Sequence, residues 1–321
     1  MAPGLPLTPR AASVPAERFT GLHGGGVRVR VPASSANLGP GFDSLGLCLG
    51  LYDLIEVEPS DAGLAIEVEG AGAGEVPTTE EHLVVQAIRA GLAHAGAEQP
   101  GLRMRCRNVI PHGRGLGSSA SAAVAGVLAA RGLLRDPGLI DDASALLLAD
   151  GFEGHPDNVA ASLLGSFTIS WVDAAAGRPR AVRLEVHPDV VPVACVPATV
   201  LATSKARAML PREVPHADAA FNAGRSALLV EALTRRPDLL MPATEDRLHQ
   251  RQRARAMAST WELVLALRAA GLAAVVSGAG PTVLVFGARP DAGNAVAQVA
   301  GPGWQVLTPG IDRRGATYER L

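Results

Sequence analysis

Aromatic side chains make up only 3 per cent of this 321-residue chain, and lysine occurs once, at Lys205. So few aromatics argue against a surface on which nucleic-acid bases stack. A formal net charge of −2 gives no general attraction to nucleic acid or to an anionic membrane, so neither is expected as a partner. No run of about 18 apolar residues exists, which excludes an expected membrane-spanning helix. Cysteine is sparse as well: Cys48, Cys106 and Cys195 are far apart, odd in number and match no metal-ligand spacing. They read as small buried apolar residues in a reducing cytoplasm. Residues 1–26 carry prolines, glycines and arginines but no apolar signal-peptide core, so a flexible tail is expected there. His23-Gly24-Gly25-Gly26 is like the oxyanion loop of lipases, but no G-x-S-x-G nucleophile turn follows it.

What is present is a globular composition, 48 per cent apolar and 19 per cent charged, long enough for two domains. The chain is organised around Pro111-His112-Gly113-Arg114-Gly115-Leu116-Gly117-Ser118-Ser119-Ala120-Ser121. Glycines at alternate positions let the backbone take positive φ and let a ligand approach the main chain closely. Ser118 or Ser119 suits a helix N-cap, and the alanine-rich run from Ala122 to Leu134 is a strong helix former. Such a loop points free N–H groups and a partial positive charge outward, which suits a phosphate. A Cβ at position 117 would be expected to occupy the phosphate position. Two common nucleotide loops are excluded. The G-x-x-x-x-G-K-S/T loop needs a lysine here, and the G-x-G-x-x-G fingerprint needs glycine where Ser118 stands.

This stretch resembles the second motif of the GHMP small-molecule kinases, P-x-G-x-G-L-G-S-S-A. The resemblance implies ATP, with residues 111–121 wrapping its triphosphate. Upstream, Val27, Val29 and Val31 alternate with Arg28 and Arg30, a strand running into Pro32 and then a glycine-rich loop over residues 32–43. That loop resembles the first motif of homoserine kinases, V-P-A-S/T-x-A-N-L-G-P-G-F-D, which implies that Asn37 and Asp43 face the substrate. Downstream, Thr203, Arg207 and Leu210-Pro211 match the family's T-x-x-A-R-x-x-L-P, and residues 246–253 its D-x-L/I-H-x-x-x-R, with Arg253 as the implied substrate arginine. Gly278, Gly280 and Pro281 match the third kinase motif, S-G-x-G-P-S/T.

Between these motifs, Leu54–Val57 and Leu64–Val68 read as a pair of short strands and Leu83–Ala95 as a helix. Leu102, Met104 and Cys106 alternate with Arg103, Arg105 and Arg107, a strand with a solvated arginine face. A helix is expected over residues 141–149, a buried strand over 190–200, an amphipathic helix over 219–233 and strands either side of Gly278–Thr282. In homoserine kinases an asparagine near the start of the first of these helices is associated with adenine; the matching position here is Glu81. The family pattern E-x-E-G followed by H-x-D-N survives as Glu153-Gly154 and His155-Pro156-Asp157-Asn158. Gly151 stands where the first glutamate, the implied Mg²⁺ ligand, is expected. Asp150, Glu153 or the Ser118 hydroxyl could serve instead, since magnesium takes one or two carboxylates with phosphate oxygens and water. In an extended segment Glu153 would share the face of position 151; a turn at the glycines would separate them.

The implied fold is α+β with two domains: residues 27–172 carrying the phosphate loop, and a ferredoxin-like domain over 173–321, the boundary set where composition loosens near residues 170–180. The implied reaction joins ATP and L-homoserine to give O-phospho-L-homoserine and ADP, a step towards threonine. Homoserine is a zwitterion with a hydroxyl. Asp43 would take its ammonium, Arg207 and Arg253 its carboxylate, and Asn37 with Asn158 its hydroxyl; His155 and Thr203 complete the implied substrate set. Asp157 is either a catalytic base or the residue that orients Asn158; the resemblance favours the second, because a loose phosphoryl-transfer transition state needs no strong base. A homodimer is usual in the family. A GHMP kinase for another small alcohol and a non-catalytic nucleotide-binding relative are the alternative readings.

Overall fold

The computed structural model describes residues 19–287 and 292–321. Of the expected tail over residues 1–26, only residues 19–26 are described. Residues 1–18 lie outside the described residues, but Phe19 and Leu22 are buried in the core and His23 N donates to Leu133 O at 3.0 Å. Two apolar side chains and a backbone bond hold this lead-in down.

Alternation of valine with arginine builds β1 (Val27–Ala36), with Val27, Val29 and Val31 buried and Arg28 on the solvent face. The strand does not stop at Pro32. It continues to Ala36 beside β2 (Leu45–Ser60), with a register shift between Pro32 and Ala33 where proline has no N–H for the ladder. The first half of the expected loop is therefore strand. β3 (Ala65–Gly70), the second of the two expected short strands, does not pair with β2. α1 (Leu83–His94) carries the chain across to β4 (Gly101–Asn108), which lies between β2 and β3 and runs parallel to β3. A parallel neighbour requires such a crossover, whereas alternation within each strand is silent about its partner. The arginines of β4 meet carboxylates on the exposed face, Arg105 Nε reaching Glu67 at 2.9 Å.

α2 (Ser118–Leu133) is buried on nearly every side, which explains its small side chains: α1 approaches so closely that a Cβ at Gly126 would stand 2.5 Å from that of Ala87. α3 (Asp142–Glu153) starts at Asp141, whose carboxylate accepts from Ser144 N at 2.7 Å, and α4 (Pro156–Leu164) follows after Gly154. β5 (Phe167–Asp173) and β6 (Arg178–Leu184) form a hairpin of the same sheet, so the expected boundary at 172/173 falls inside it. The loosened composition there is a turn, with Asp173 accepting from Ala175 N and Ala176 N.

The second sheet starts at β7 (Val191–Pro197). Helices α5 (Thr203–Arg207), α6 (His216–Thr234), α7 (Leu240–Ala243), α8 (Gln250–Arg253) and α9 (Ala258–Ala269) lead to β8 (Ala273–Val276) and β9 (Val283–Gly287). α10 (Ala292–Ala300) and β10 (Trp304–Leu307) close an antiparallel sheet of order β10-β7-β9-β8, the expected ferredoxin-like arrangement. The chain then returns to the first sheet, where β11 (Thr317–Arg320) pairs with β1. One apolar cluster joins the halves, with Leu38, Leu47, Leu116 and Phe167 of the first packed among Val196, Val275, Leu284 and Phe286 of the second. Burial across this seam holds the motifs of the two halves in register.

Candidate active site

The three glycine-rich motifs interlock at the seam. Gly113, Gly115 and Gly117 take φ of 63°, 76° and 69°, a left-handed run open to glycine. Ser277 Oγ lies 2.5 Å from Gly115 O and 2.8 Å from Ser35 Oγ, Gly278 N donates to Ala36 O at 3.0 Å, and Asn37 Nδ2 donates to Gly278 O at 2.8 Å. A Cβ on Gly115 would collide with the carbonyls of Ser277 and Gly280. Neither expected serine caps α2. Gly117 does, in the left-handed conformation and without a side-chain cap bond, which leaves Ser118 and Ser119 as the first helical residues, both lining the cleft and Ser119 bonded to Glu153. A Cβ at 117 would meet Ser34 Oγ and, at 3.1 Å, Asn158 Oδ1, so it is protein rather than ligand space that excludes a side chain there.

A cavity of about 200 Å³ opens on these turns. It is lined by Asn37, Asp43, Gly113, Gly115, Gly117, Ser118, Ser119, Glu153, His155, Asp157, Asn158, Thr203, Arg207, Arg253 and Gly278. Through Ser118 and Ser119 it adjoins a second cavity of about 250 Å³, walled by Val31, Ile55, Val76 and Leu83 with Glu81, His82 and His112. An apolar chamber, a glycine turn at a helix N-terminus and a charged chamber stand in that order, the arrangement a nucleoside triphosphate and its acceptor need.

Several residues of the glycine stretch face elsewhere. Pro111 and Arg114 line a groove on the outer side of the loop, where the Arg114 guanidinium donates to Pro197 O at 3.1 Å and Ala198 O at 3.0 Å. Leu116, Ala120 and Ser121 are buried, Ser121 Oγ donating to Pro32 O at 2.8 Å. Gly280 and Pro281 shape the turn without lining the cavity.

The acceptor end is charged. Arg207 grips Asp43 with both terminal nitrogens, at 3.0 Å and 2.8 Å. Arg253 is 1 per cent exposed; its Nη1 reaches His249 Nδ1 at 3.2 Å and Gly278 O at 3.3 Å, and its Nε is buried without a partner. Burial, then the Arg207 charge, holds the Arg253 guanidinium below its ordinary pKa. Asp157 accepts from Asn158 N at 2.7 Å and sits 2.9 Å from His155 Nδ1, and this bond raises the imidazole's pKa. Ser34 Oγ donates to Asn158 Oδ1 at 2.9 Å, which turns the amide N–H groups of Asn158 to the cavity. Asn37 is occupied by Gly278 and by Asp43 N, so it shapes the site through both ends of its amide.

Position 151 is not where the extended-segment expectation puts it. α3 stays helical through Glu153, and residues two apart on a helix stand on nearly opposite faces. Gly151 is exposed with open space around its Cβ direction, whereas Glu153 lines the cavity. Burial raises the carboxyl pKa of Glu153, and a bond from Ser119 partly offsets it. Asp150 does not line the cavity; its Oδ1 is buried without a partner and its pKa is also raised by burial. Ser34, Ser35, Asn222, His249 and Ser277 also shape the site, with no role legible for them along the chain. His249 sits four residues before Arg253, a helical spacing that signals a shared face.

Residues 82–166 match the GHMP kinases N terminal domain and residues 220–301 the GHMP kinases C terminal. The chain is 54 per cent identical over 292 residues to the homoserine kinase of Streptomyces avermitilis, covering 91 per cent of this chain and 95 per cent of that one. It is 56 per cent identical over 273 residues to that of Rhodococcus erythropolis, covering 82 and 87 per cent. Among solved structures, the homoserine kinase from Cytophaga hutchinsonii superposes with a TM-score of 0.81 at 25 per cent identity, covering 92 per cent of this chain and 97 per cent of that one. With the three motifs meeting at one cleft between two such domains, the chain belongs to the homoserine kinases of the GHMP kinase family.

Proposed function

We propose that the protein transfers the γ-phosphoryl group of ATP to the side-chain hydroxyl of L-homoserine, giving O-phospho-L-homoserine and ADP. The observation that carries this is Arg253. A guanidinium buried to 1 per cent exposure with a partnerless Nε needs an anion, and a planar carboxylate fits its fork. Asp43, which lines the same cavity, supplies the opposite charge for an ammonium, so the acceptor is a zwitterion. Arg207 serves both ends: it neutralises Asp43 before the acceptor arrives and takes the carboxylate with Arg253 afterwards. Asn158, held by Ser34 and Asp157, offers amide N–H groups to the hydroxyl. The adjacent apolar cavity takes the nucleoside, and the glycine turn with the first N–H groups of α2 receives the phosphates.

Asp157 has both its cavity-facing neighbours, His155 and Asn158, on one oxygen, which supports an orienting role over that of a base. Phosphoryl transfer runs on positioning and charge stabilisation, so no strong base is required. The residues present fit Mg²⁺ at Glu153: its carboxyl is desolvated beside Ser118, Ser119 and the glycine turn, an anion short of a cation. Glu153 and the Ser118 hydroxyl would hold the ion, with water and phosphate oxygens as its remaining partners. When bound it neutralises phosphate charge. The test is ADP release from ATP with homoserine, 4-hydroxybutyrate and 3-aminopropan-1-ol compared. Homoserine should be preferred over both singly charged alcohols, and equal rates with the amine that lacks the carboxylate would sink the reading.

A further inference from the structure

We propose that His249 is a positioning residue for the acceptor site: as the neutral Nε2–H tautomer it ties the Gly39 carbonyl to the Arg253 guanidinium, and so sets the span between the ammonium-binding and carboxylate-binding groups. The proposal rests on the assignment of the homoserine carboxylate to Arg253.

His249 is fully buried just before α8. Its Nε2 lies 2.7 Å from Gly39 O, and a carbonyl only accepts, so Nε2 carries the proton. Its Nδ1 lies 3.2 Å from Arg253 Nη1, and a guanidinium only donates, so Nδ1 presents its lone pair. Neither the other tautomer nor the imidazolium satisfies both contacts. Three charges face the ring: Arg253, Asp246 at 3.8 Å from Nε2, and Asp43 further off. Burial dominates and holds the imidazole pKa down, in keeping with the neutral form. Asp246 is engaged in capping the turn, accepting from Leu248 N at 2.9 Å, His249 N at 3.1 Å, Gln250 N at 2.8 Å and Asn222 Nδ2 at 3.0 Å.

Both ends of the link lead to the acceptor. Gly39 belongs to the first-motif loop that carries Asn37 and Asp43, and the next carbonyl, Pro40 O, is held on the second domain by Ser226 Oγ at 2.6 Å and Asn222 Nδ2 at 3.3 Å. Phe42 of the same loop lies against the His249 ring, centroids 5.1 Å apart. At the other end, without His249 the Arg253 guanidinium keeps a single hydrogen bond, the 3.3 Å contact to Gly278 O, beside the Phe42 ring face at 5.3 Å. The imidazole therefore does two things at once: it docks the loop bearing Asp43 and stops Arg253 from swinging.

The test uses His249→Leu, His249→Gln and His249→Asn in the full-length protein, with homoserine and 3-aminopropan-1-ol as acceptors. His249→Leu should raise the homoserine KM about ten-fold or more, the loss of one bond to a charged group, with the ATP KM unchanged. His249→Asn, which can still present an acceptor near the Nδ1 position, should recover more of the homoserine KM than His249→Gln, which keeps the reach to Gly39. The response to 3-aminopropan-1-ol, which has no carboxylate for Arg253, should not follow the homoserine KM. Equal losses for both acceptors, or an ATP KM rising in step, would overturn the proposal and leave a packing role. Failure of the unaltered protein to phosphorylate homoserine would instead overturn the functional reading beneath it. A second measurement needs no variant: ¹⁵N–¹H spectra of the histidine rings should show His249 neutral and protonated at Nε2, and a charged ring or an Nδ1–H ring would refute the link.

Discussion

Arg207→Ala probes the acceptor site most directly, because the structure shows what Arg207 does before substrate arrives. Its two bonds to Asp43 join side chains 42 and 34 per cent exposed, so solvent screens the pair and its worth is that of a surface ion pair, roughly 0.2–1 kcal/mol. Homoserine exchanges this pair for two contacts of the same kind, its ammonium on Asp43 and its carboxylate on Arg207. Each is a charge-assisted bond in a less exposed setting, worth about 1.5–3 kcal/mol. Opening the pair thus costs less than either new contact returns, and the ion pair is no barrier to binding. Removing the guanidinium forfeits one contact and spares the opening cost, a net loss of about 0.5–2.8 kcal/mol, so the homoserine KM should rise about two- to a hundred-fold. The ATP KM should stay put, and the melting temperature should move little, as for other exposed ion pairs. Coupled ADP-release kinetics with each substrate varied, alongside a thermal melt, read all three quantities. An ATP KM rising with that of homoserine would refute the reasoning, as would an unchanged homoserine KM.

Glu153→Gln should raise the Mg²⁺ concentration for half-maximal rate, while Gly151→Glu, on the solvent face of α3, should leave it unchanged; the opposite pair of results would return the metal to position 151. Because burial raises the Glu153 pKa above 4.5, its ionised form destabilises the fold as pH climbs through that raised value, so Glu153→Gln should also melt higher at about pH 8 and show no gain well below 4.5. The His155 pKa is raised above 6.5 by its bond to Asp157, so the pair's stabilisation is complete below 6.5 and fades as pH rises through the raised value. His155→Gln should accordingly lower the urea midpoint more at about pH 6 than at about pH 9, and equal losses would refute this. Gly117→Val should lower the melting temperature as well as nucleotide affinity, since its Cβ meets Ser34 Oγ at a positive φ; a variant of full stability that fails to bind ATP would restore the idea that only ligand space is blocked there.

Features whose physics is local were legible along the chain. Alternate glycines at 113, 115 and 117 do take left-handed backbone, because without a Cβ glycine adopts it at no steric cost. The alternation of Leu102, Met104 and Cys106 does face a core, because side chains two apart share one side of a strand. Tertiary structure alone decided whatever depends on a partner distant in sequence. β2 and β3 are separated by β4 because a parallel pairing forced the chain across α1, and β1 outruns Pro32 because β2 and the Leu116 carbonyl supply it with neighbours. The helix of α3, running on to Glu153, turned Gly151 outward and put the carboxylate in the cleft, a choice between strand and helix that decides which of two residues meets the ligand. Likewise Asp43 and Arg207, 164 residues apart, and Gly39 and His249, 210 apart, are joined only because the apolar seam presses the two halves together. Hydrophobic burial is non-directional, so it marks which faces must be covered without saying by what; the bonds that shape this acceptor site formed where that burial brought the chain to itself.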